Sequence, residues 1–382
     1  MEKTLKSKLP DTGTSIFAVM SGLARQEGAV NLSQGFPDFP IDPELIDLVY
    51  EYMKRGYNQY APMPGVPVLR QAIARKIQAL YGTSVSPDDE ITITAGATQA
   101  LFNVFTALIH PGDEVMVFEP AYDSYVPAIR LNGGRPVYVR LTKPDFKIDW
   151  NHVASLITEN TRMIVLNTPN NPGGYVLTHE DWQQLAGLVR DTNILILSDE
   201  VYEHIIFDGF SHQSILRFPE LYERGIAVFS FGKTFHATGW KTGYTVAPPA
   251  LTEEIRKVHQ FNVFAVNTPV QYALAEYLED SGHYSDLHLF YEAKRDYFVK
   301  ALQGSRWKVV PTHGTYFIGL DYSDISPLGD MDFAVKLTRD YKVASIPFSA
   351  FYHDGYDQKI LRFCFAKKEE TLDKALHILR HL

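Results

Sequence analysis

The sequence predicts an α/β fold, with one large domain built on a mostly parallel sheet and a smaller α+β domain. Length is the first observation, because 382 residues, 45% of them hydrophobic, exceed the size of one ordinary compact core. The second observation is a regular alternation of short apolar runs and longer helical patterns between about residues 90 and 247. Strands that alternate with helices favour a parallel sheet flanked by helices on both faces.

Seven apolar, β-rich runs supply the predicted strands of that sheet, at residues 91–94, 114–118, 136–141, 163–167, 194–198, 227–231 and 244–247. Several of them are apolar without alternation, which is typical of strands that are covered on both faces. Helical patterns lie between them, for example the one that starts at Thr98. Open α/β sheets bind ligands beyond the carboxyl ends of their strands. The residues directly after each run are therefore the candidate site residues.

The two ends of the chain are predicted to form the smaller domain. A long helical region from about Leu251 to Gly282 follows the last of the seven runs. Beyond it lie a helical pattern near 333–340 and a strand pattern at 360–365. We therefore place an N-terminal arm and part of the small domain at 1–48, the large domain at 49–285 and the small C-terminal domain at 286–382.

The composition argues against several classes of protein. A formal net charge of −9 and a sequence pI of about 5.8 argue against a nucleic-acid partner, which needs a basic stripe. The basic start at residues 1–8 is short, so we expect a solvated tail there. No apolar run reaches about 18 residues and no signal-peptide pattern appears, so we expect neither a membrane span nor export. The single cysteine, Cys364, predicts a small buried hydrophobe and a reducing, cytoplasmic compartment.

Glycine, aromatic and amide residues follow the earlier strands of the sheet. The segment A-G-A-T-Q-A opens a helix with Gly96 and Thr98, which suits an anion or, alternatively, an ordinary N-cap by Thr98. Tyr122 and Tyr125 in E-P-A-Y-D-S-Y are placed to stack on a planar ligand, although such residues also serve as packing. Asn171 in T-P-N-N-P-G-G offers an amide within a segment that is also a turn sequence.

Charged residues follow the later strands. Asp199 directly abuts the run 194–198, and a carboxylate there needs a partner because an unpaired buried charge is costly. The stretch S-F-G-K-T-F-H-A-T-G-W-K-T-G-Y then brings Ser230, Lys233 and Lys241 to the same edge. Together with Gly96, Tyr122 and Asn171, these groups suit a ligand that is a planar, phosphorylated, cationic ring. A lysine of this site could attack a carbonyl group of that ligand. Pyridoxal phosphate fits that description.

Ordered motifs span the whole chain: N-L-S-Q-G-F-P-D-F (31–39), Y-N-Q-Y-A-P-M-P-G (57–65), the four segments A-G-A-T-Q-A, E-P-A-Y-D-S-Y, T-P-N-N-P-G-G and D-E-V-Y (199–202), the lysine-containing stretch, V-N-T-P-V-Q (266–271) and L-R-F-C-F (361–365). Together they resemble the fold type I, class I and II pyridoxal-phosphate aminotransferases. Within that family the sequence is most similar to the kynurenine/glutamine and bacterial methionine aminotransferase branch. The resemblance implies the same two-domain fold that the pattern of strands and helices predicts.

The resemblance implies a role for each matching residue on the cofactor side. Lys233 looks like the lysine that binds pyridoxal 5'-phosphate as a Schiff base and then acts as a general base, and Asp199 looks like the partner of the pyridinium nitrogen. Tyr202 and Asn171 resemble the donors to the phenolate oxygen, and Tyr122 resembles the aromatic ring that stacks on the cofactor. The matching phosphate-binding positions are Gly96, Ala97, Thr98, Ser230 and Lys241, the last of which stands where many relatives have arginine.

The substrate side is implied in the same way. Arg362 resembles the arginine that holds the substrate α-carboxylate, with Gly35 and Asn171 beside that group. Residues 260–268 contain no arginine that could bind a distal carboxylate. We therefore expect a neutral, bulky donor, such as methionine, glutamine or an aromatic amino acid including kynurenine. The candidate walls of its pocket are Phe17, Tyr60, Tyr122, Tyr125 and Phe264.

The implied enzyme is a homodimer with shared active sites, in which Tyr60 and residues 264–268 serve the neighbouring subunit. Its reaction is a ping-pong transamination between an amino acid and a 2-oxo acid. Two alternatives stay open, a carbon–sulfur β-lyase acting on cysteine S-conjugates and a cofactor-binding regulator, although the acidic charge counts against the regulator. His204 and His236 are expected to be structural, and no cluster in the sequence has metal-ligand spacing.

Overall fold

A computed structural model describes residues 6–382, so the first five residues of the basic start lie outside the described residues. Within that range the strands are β1 (Val30–Asn31), β2 (Ile91–Thr94), β3 (Glu114–Glu119), β4 (Arg135–Arg140), β5 (Thr161–Asn167), β6 (Leu195–Asp199), β7 (Gly225–Ser230), β8 (Gly243–Val246), β9 (Lys308–Val309), β10 (Phe317–Asp321), β11 (Val343–Ala344), β12 (Ile346–Pro347) and β13 (Ile360–Cys364).

The α-helices of the same range are α1 (Ile16–Glu27), α2 (Pro43–Lys54), α3 (Pro67–Tyr81), α4 (Ala97–Leu108), α5 (Tyr125–Leu131), α6 (Trp150–Ser155), α7 (His179–Val189), α8 (Pro219–Tyr222), α9 (Phe231–Thr234), α10 (Pro249–Asn262), α11 (Thr268–Tyr277), α12 (Gly282–Ser285), α13 (Leu287–Ala301), α14 (Asp330–Asp340) and α15 (Glu369–Leu379). No helix among residues 6–382 is long and apolar enough to cross a membrane.

The large sheet contains the seven predicted strands, in the order β2-β8-β7-β6-β5-β3-β4. Strand β8 runs antiparallel to both of its neighbours, and the other pairings in the sheet are parallel. The predicted fold class is therefore confirmed, with strand ends within two residues of the predicted positions. The carboxyl ends of β5, β6 and β7 meet at one edge, which places the segments that follow them side by side.

Both faces of the large sheet are covered, as the apolar runs predict. Along β7 the side chains alternate, since Ala227 and Phe229 pack into one core cluster, whereas Ile226 and Val228 pack into the cluster on the opposite face. Helices cover each face, with α2, α3 and α11 packed together on one side and α4, α5 and α10 on the other. The buried strands thus form the frame of the domain, and Asn167, Asp199 and Ser230 are the last residues of three of them.

The smaller unit combines both ends of the chain. Strand β1 pairs in parallel with β11, and a four-stranded antiparallel sheet follows the order β12-β13-β10-β9. Its own core includes Met20 and Leu32 from the N-terminal arm, together with Phe317 and Phe363 from the C-terminal part. Strands β10 and β13 of this sheet contribute side chains to the cavity described below.

Two predicted boundaries differ from the structure. The division between residues 48 and 49 falls inside α2, and this helix packs against α11 with Leu45 buried in a core cluster of the large domain. Helix α2 therefore belongs to the large domain as a whole. The long helical region predicted after Leu251 is also broken, because Phe264 adopts a left-handed conformation with φ of 65° between α10 and α11.

Candidate active site

A cavity of about 190 Å³ lies between the strand ends of the large sheet and the four-stranded sheet of the smaller unit. Ten of the predicted site residues line it, namely Phe17, Gly35, Ala97, Thr98, Tyr122, Asn171, Asp199, Tyr202, Lys233 and Arg362. Four further lining residues, Leu101, Asn167, Val201 and Phe317, are absent from the prediction. The chain thus brings residues that are more than 300 positions apart into one site.

Lys233 reaches the cavity from the short helix α9, which begins directly after β7. Its Nζ donates a hydrogen bond of 2.9 Å to the hydroxyl oxygen of Tyr316, and that hydroxyl donates in turn to the carbonyl oxygen of Gly35 at 2.7 Å. The same Nζ lies 5.4 Å from the centre of the Tyr202 ring. Burial lowers the pKa of Lys233 to about 8, so its amine is much closer to neutrality than a surface lysine.

Asp199 is the last residue of β6 and is almost fully buried. Its Oδ2 accepts a hydrogen bond of 2.6 Å from the Tyr125 hydroxyl, and its Oδ1 accepts one of 3.4 Å from the Val201 N–H. Burial raises the pKa of Asp199 to about 6, while the two donors act in the opposite direction. The carboxylate expected to need a partner therefore has one within the protein, and it still lines the cavity.

The structure corrects the prediction for Tyr125 as a substrate-binding residue and pocket wall. Tyr125 is the first residue of α5, is 2% exposed and does not line the cavity. Its hydroxyl contacts Asp199 without reaching the cavity, whereas Tyr122 of the same segment lines the cavity. The rings of the two tyrosines lie in a T-shaped arrangement with centroids 5.8 Å apart. Tyr125 is a support for Asp199.

A chain of hydrogen bonds joins the amides after β5 to β13. The Asn167 side chain donates to the Asp199 carbonyl at 2.9 Å, and its own Oδ1 accepts from the Asn171 N–H at 2.8 Å. The Arg362 Nη1 donates to Asn171 Oδ1 at 2.7 Å, and Nη2 donates to the Ser33 carbonyl at 3.0 Å. These bonds fix the guanidinium against the large-domain side of the cavity.

Arg362 is fully buried, yet its Nε has no hydrogen-bond partner among residues 6–382. The guanidinium carbon lies 3.9 Å from the centre of the Phe317 ring and 5.1 Å from that of Phe17. Burial lowers the pKa of Arg362 to about 10, which leaves the group positive at neutral pH. Gly35 is required nearby, since a Cβ at that position would lie 2.6 Å from an atom of the Phe317 ring. The result is a cation held against aromatic rings at the cavity wall.

The N-terminus of α4 forms a second polar region of the site. Gly96 precedes this 12-residue helix with φ of 78°, a conformation that favours glycine, and Ala97 and Thr98 line the cavity. Lys241 lies beside it, because a Cβ on Gly96 would come within 3.5 Å of the Lys241 Nζ. Ser230 is the last residue of β7. Gly96, Ser230 and Lys241 do not line the cavity. An ammonium group next to free helix N–H groups suits an anion.

Tyr60 and Phe264 lie away from this cavity. Tyr60 is 84% exposed, and its ring packs edge-on against Phe264 with centroids 5.7 Å apart. Thr268 donates to the Gln59 carbonyl at 2.6 Å, which joins the two segments into one surface. Neither of these two candidate pocket walls lines the cavity of the single chain, and their predicted place in the neighbouring subunit's active site stays a prediction.

His204 and His236, which lie close to the predicted site residues in the sequence, do not line the cavity. Both are largely buried, and their Nε2 atoms have no hydrogen-bond partner in the described part of the chain. Burial lowers the pKa of His204 to about 3 and that of His236 to about 4, so both rings are neutral at pH 7. Among residues 6–382, no group of three or more His, Cys, Asp or Glu side chains is placed to hold a metal ion.

Comparisons with known proteins bear on this site. Residues 27–379 match the family described as aminotransferase class I and II. The methionine aminotransferase of Escherichia coli strain K12 is 50% identical over 378 residues, which cover 99% of this chain and 98% of that protein. Kynurenine–oxoglutarate transaminase 1 of Mus musculus is 34% identical over 387 residues, which cover 92% of this chain and 91% of that protein.

A solved structure gives the same result. The Escherichia coli crystal structure reported with a methionine aminotransferase function matches this fold with a TM-score of 0.97 and 50% identity, over 99% of this chain and all of that one. The predicted resemblance, both to the family and to its methionine and kynurenine branch, is confirmed. The chain therefore belongs to the class I and II aminotransferases and is a pyridoxal 5'-phosphate-dependent transaminase.

Proposed function

We propose that the enzyme moves the α-amino group of a neutral, bulky amino acid to a 2-oxo acid, with the cofactor held covalently at Lys233. The observation that carries this proposal is one cavity that combines Lys233, Asp199 and Arg362 with apolar side chains. The three charged groups suit a carbonyl, a ring nitrogen and a carboxylate, respectively. The apolar surface around them suits an uncharged donor side chain.

The residues present fit pyridoxal phosphate. Asp199 would hold the ring nitrogen, Tyr202 and Asn171 the phenolate oxygen, and Tyr122 would stack on the ring. The phosphate would bind the N-terminus of α4, where a glycine turn, backbone N–H groups and the Lys241 ammonium lie together. The residues proposed for the phosphate are Gly96, Ala97, Thr98, Ser230 and Lys241. Lysine at position 241 supplies a compact charge in place of a rigid fork.

The buried groups suggest how the chain performs the chemistry. When bound, pyridoxal phosphate supplies an electron sink for the α-carbon of the donor. With a pKa of about 6, Asp199 is mostly a carboxylate at neutral pH, and the hydrogen bond from Tyr125 stabilises that form. The carboxylate would hold a proton on the ring nitrogen. The Lys233 Nζ, with its lowered pKa, would take the α-proton as a general base and return it.

Arg362 is proposed to orient the donor through its α-carboxylate. Arg362 lines the cavity with a positive guanidinium, and only two of its five N–H groups are bonded to described residues, so donors remain for a carboxylate oxygen. The bonds to Asn171 and Ser33 hold the planar fork in a single orientation. A fixed carboxylate limits rotation of the donor, and this would present its α-hydrogen to Lys233.

A neutral, bulky side chain suits the rest of the cavity. Phe17, Leu101, Val201 and Phe317 line it, and Arg362 is the only arginine that does so among residues 6–382. A donor with a second carboxylate would have no further guanidinium there. The names of the relatives support the same class, since one is a methionine and another a kynurenine aminotransferase.

A donor panel tests the substrate class. All common amino acids are incubated with several 2-oxo acids, and the 2-oxo acid product of each donor is quantified by chromatography. We expect methionine, glutamine or aromatic donors to exceed aspartate by at least about tenfold, given that an unpaired buried charge costs more than about 1.4 kcal/mol. Aspartate as the best donor would contradict the proposal. Pyruvate and ammonia from a cysteine S-conjugate without an acceptor would indicate the β-lyase alternative.

We further propose a homodimer in which Tyr60 and residues 264–268 complete the neighbouring active site. Support comes from exposed aromatic residues on that surface, since Tyr60 and Phe261 are 84% and 86% exposed and Phe264 is 44% exposed. Light scattering of the full chain should give twice the 43.3 kDa chain mass. Tyr60→Phe should weaken cofactor retention and leave the mass unchanged; a monomeric, fully active enzyme would contradict this arrangement. The cytoplasmic location stays a prediction from the sequence.

A further inference from the structure

Tyr316 occupies a position at the catalytic lysine that the sequence does not indicate. Its hydroxyl donates its hydrogen to the Gly35 carbonyl at 2.7 Å, and its oxygen accepts a hydrogen from Lys233 Nζ at 2.9 Å. Because the single hydroxyl hydrogen is already used, the oxygen acts toward Lys233 as an acceptor. The direction of both bonds is therefore determined by the chemistry of the groups.

The Gly35 carbonyl is itself held in place. Its neighbours in the loop accept bonds from buried side chains, since Arg362 donates to the Ser33 carbonyl at 3.0 Å and Lys367 Nζ donates to the Phe36 carbonyl at 2.7 Å. Just before the loop, the Cys364 N–H donates to the Leu32 carbonyl at 2.8 Å. The acceptor that orients Tyr316 thus belongs to a loop anchored along its length.

The ring of Tyr316 is fixed as firmly as its hydroxyl. It is fully buried, and three aromatic rings surround it, those of Tyr202, Phe317 and Tyr291, with centroids 5.2, 4.9 and 5.7 Å away. Tyr291 provides an internal comparison, because it is equally buried but its hydroxyl has no hydrogen-bond partner among residues 6–382. Only one of these two buried hydroxyl groups is directed at the reacting amine.

We propose that Tyr316 is a further catalytic residue, whose hydroxyl oxygen holds the free Lys233 amine so that its lone pair is available to the donor's α-proton. The proposal rests on the proposed function, in which Lys233 acts as the base. One N–H of the neutral amine donates to Tyr316, which leaves the other N–H and the lone pair free to contact the donor in the cavity. The donor's α-carbon gives up this proton, and the resulting ammonium keeps the same bond to Tyr316 until it returns a proton, so no other side chain gains or loses one.

The test compares Tyr316→Phe with the control Tyr291→Phe in the full-length, cofactor-loaded enzyme. The wild type and each variant are first reduced with borohydride, and peptide mapping by mass spectrometry checks that the cofactor is attached to Lys233. Failure of that attachment in the wild type would overturn the proposed function and this inference together. Attachment in the wild type and both variants would confirm Lys233 as the attachment site and show that the variants fold well enough to bind the cofactor.

The second measurement concerns the amine itself. An excess of amino donor converts the cofactor to its amine form, which frees Lys233, and trace acetic anhydride then labels the lysine between pH 6 and 10. Loss of an acceptor disfavours the ammonium, so in Tyr316→Phe the labelling midpoint should fall by about one pH unit. In Tyr291→Phe it should stay at the wild-type value.

Steady-state kinetics complete the test. We expect Tyr316→Phe to lower kcat about tenfold, because the base is less well oriented, with little change in the donor KM. Tyr291→Phe should leave both values unchanged. The inference is overturned if Tyr316→Phe keeps the wild-type midpoint and kcat, or if both variants change equally, since an equal change indicates packing alone.

Discussion

The two sides of the cavity are built differently. On the large-domain side, Asp199 is the last residue of the buried strand β6, and Lys233 lies in the short helix α9 that directly follows β7 of the same sheet. On the small-domain side, Arg362 lies within a strand, and its neighbours are Phe317 and the loop at Gly35. In the proposed function the first side therefore holds the groups that would move protons, whereas the second holds a cation, set among aromatic rings, that would bind the carboxylate. The hydrogen bonds from Arg362 to Asn171 and from Lys233 to Tyr316 join the two sides.

Lys233→Ala tests the large-domain side most severely. We expect turnover to fall by at least about 10⁴-fold, because both the covalent attachment and the general base are removed. The visible absorbance of the attached cofactor should disappear as well. Initial rates and absorbance spectra check this, with Lys257→Ala, an exposed lysine on α10, as the control. A variant that kept both signals would contradict the assignment of Lys233.

Arg362→Lys tests the small-domain side. The charge is kept but the planar fork is lost, so the donor KM should rise about 10- to 100-fold, as for the loss of a hydrogen bond to a charged group. The fall in kcat should be much smaller than that for Lys233→Ala. Arg339→Lys on the exposed side of α14 is the matched control. A change confined to kcat would contradict the proposed role of Arg362 in binding the donor carboxylate.

Tyr125→Phe should have the smallest effect, because it acts on Asp199 from behind. The lost hydrogen bond favours the protonated acid, so the pKa of Asp199 should rise further above its ordinary value. Activity needs the carboxylate, and the acid limb of the pH profile of kcat/KM should therefore move to higher pH by about one unit. Asp199→Ala sets the lower limit of activity. An unchanged acid limb would contradict the role of Tyr125.

The large-domain side could be predicted from the sequence because polar residues stand out at the ends of apolar runs. Asp199, Asn171 and Lys233 each follow such a run, and parallel strands bring their ends together. Asn167 carries the same signal, as the polar last residue of β5, and could have been found by the same rule. The predicted strands and the two-domain division follow from the same alternation.

The small-domain side could not be derived in this way. Tyr316 and Phe317 begin an apolar segment and have the pattern of ordinary core residues, so only tertiary packing brings them to Lys233 and Arg362. Arg362 lies in the middle of a buried strand, and resemblance to the family was needed to single it out. Tyr125 was predicted to line the pocket and does not. Its segment follows a strand, as the rule requires, but the sequence does not reveal which way its side chain turns.

The loop at Ser33, Gly35 and Phe36 is held through its backbone carbonyls, and the side chains of Gln34 and Phe36 take no part in those three bonds. Its anchoring is thus largely independent of which residues stand at positions 34 and 36. Both positions flank Gly35, which lines the cavity, so a library varied at positions 34 and 36 would change the surroundings of that residue without removing these three bonds. This makes the segment a natural starting point for directed evolution of donor preference.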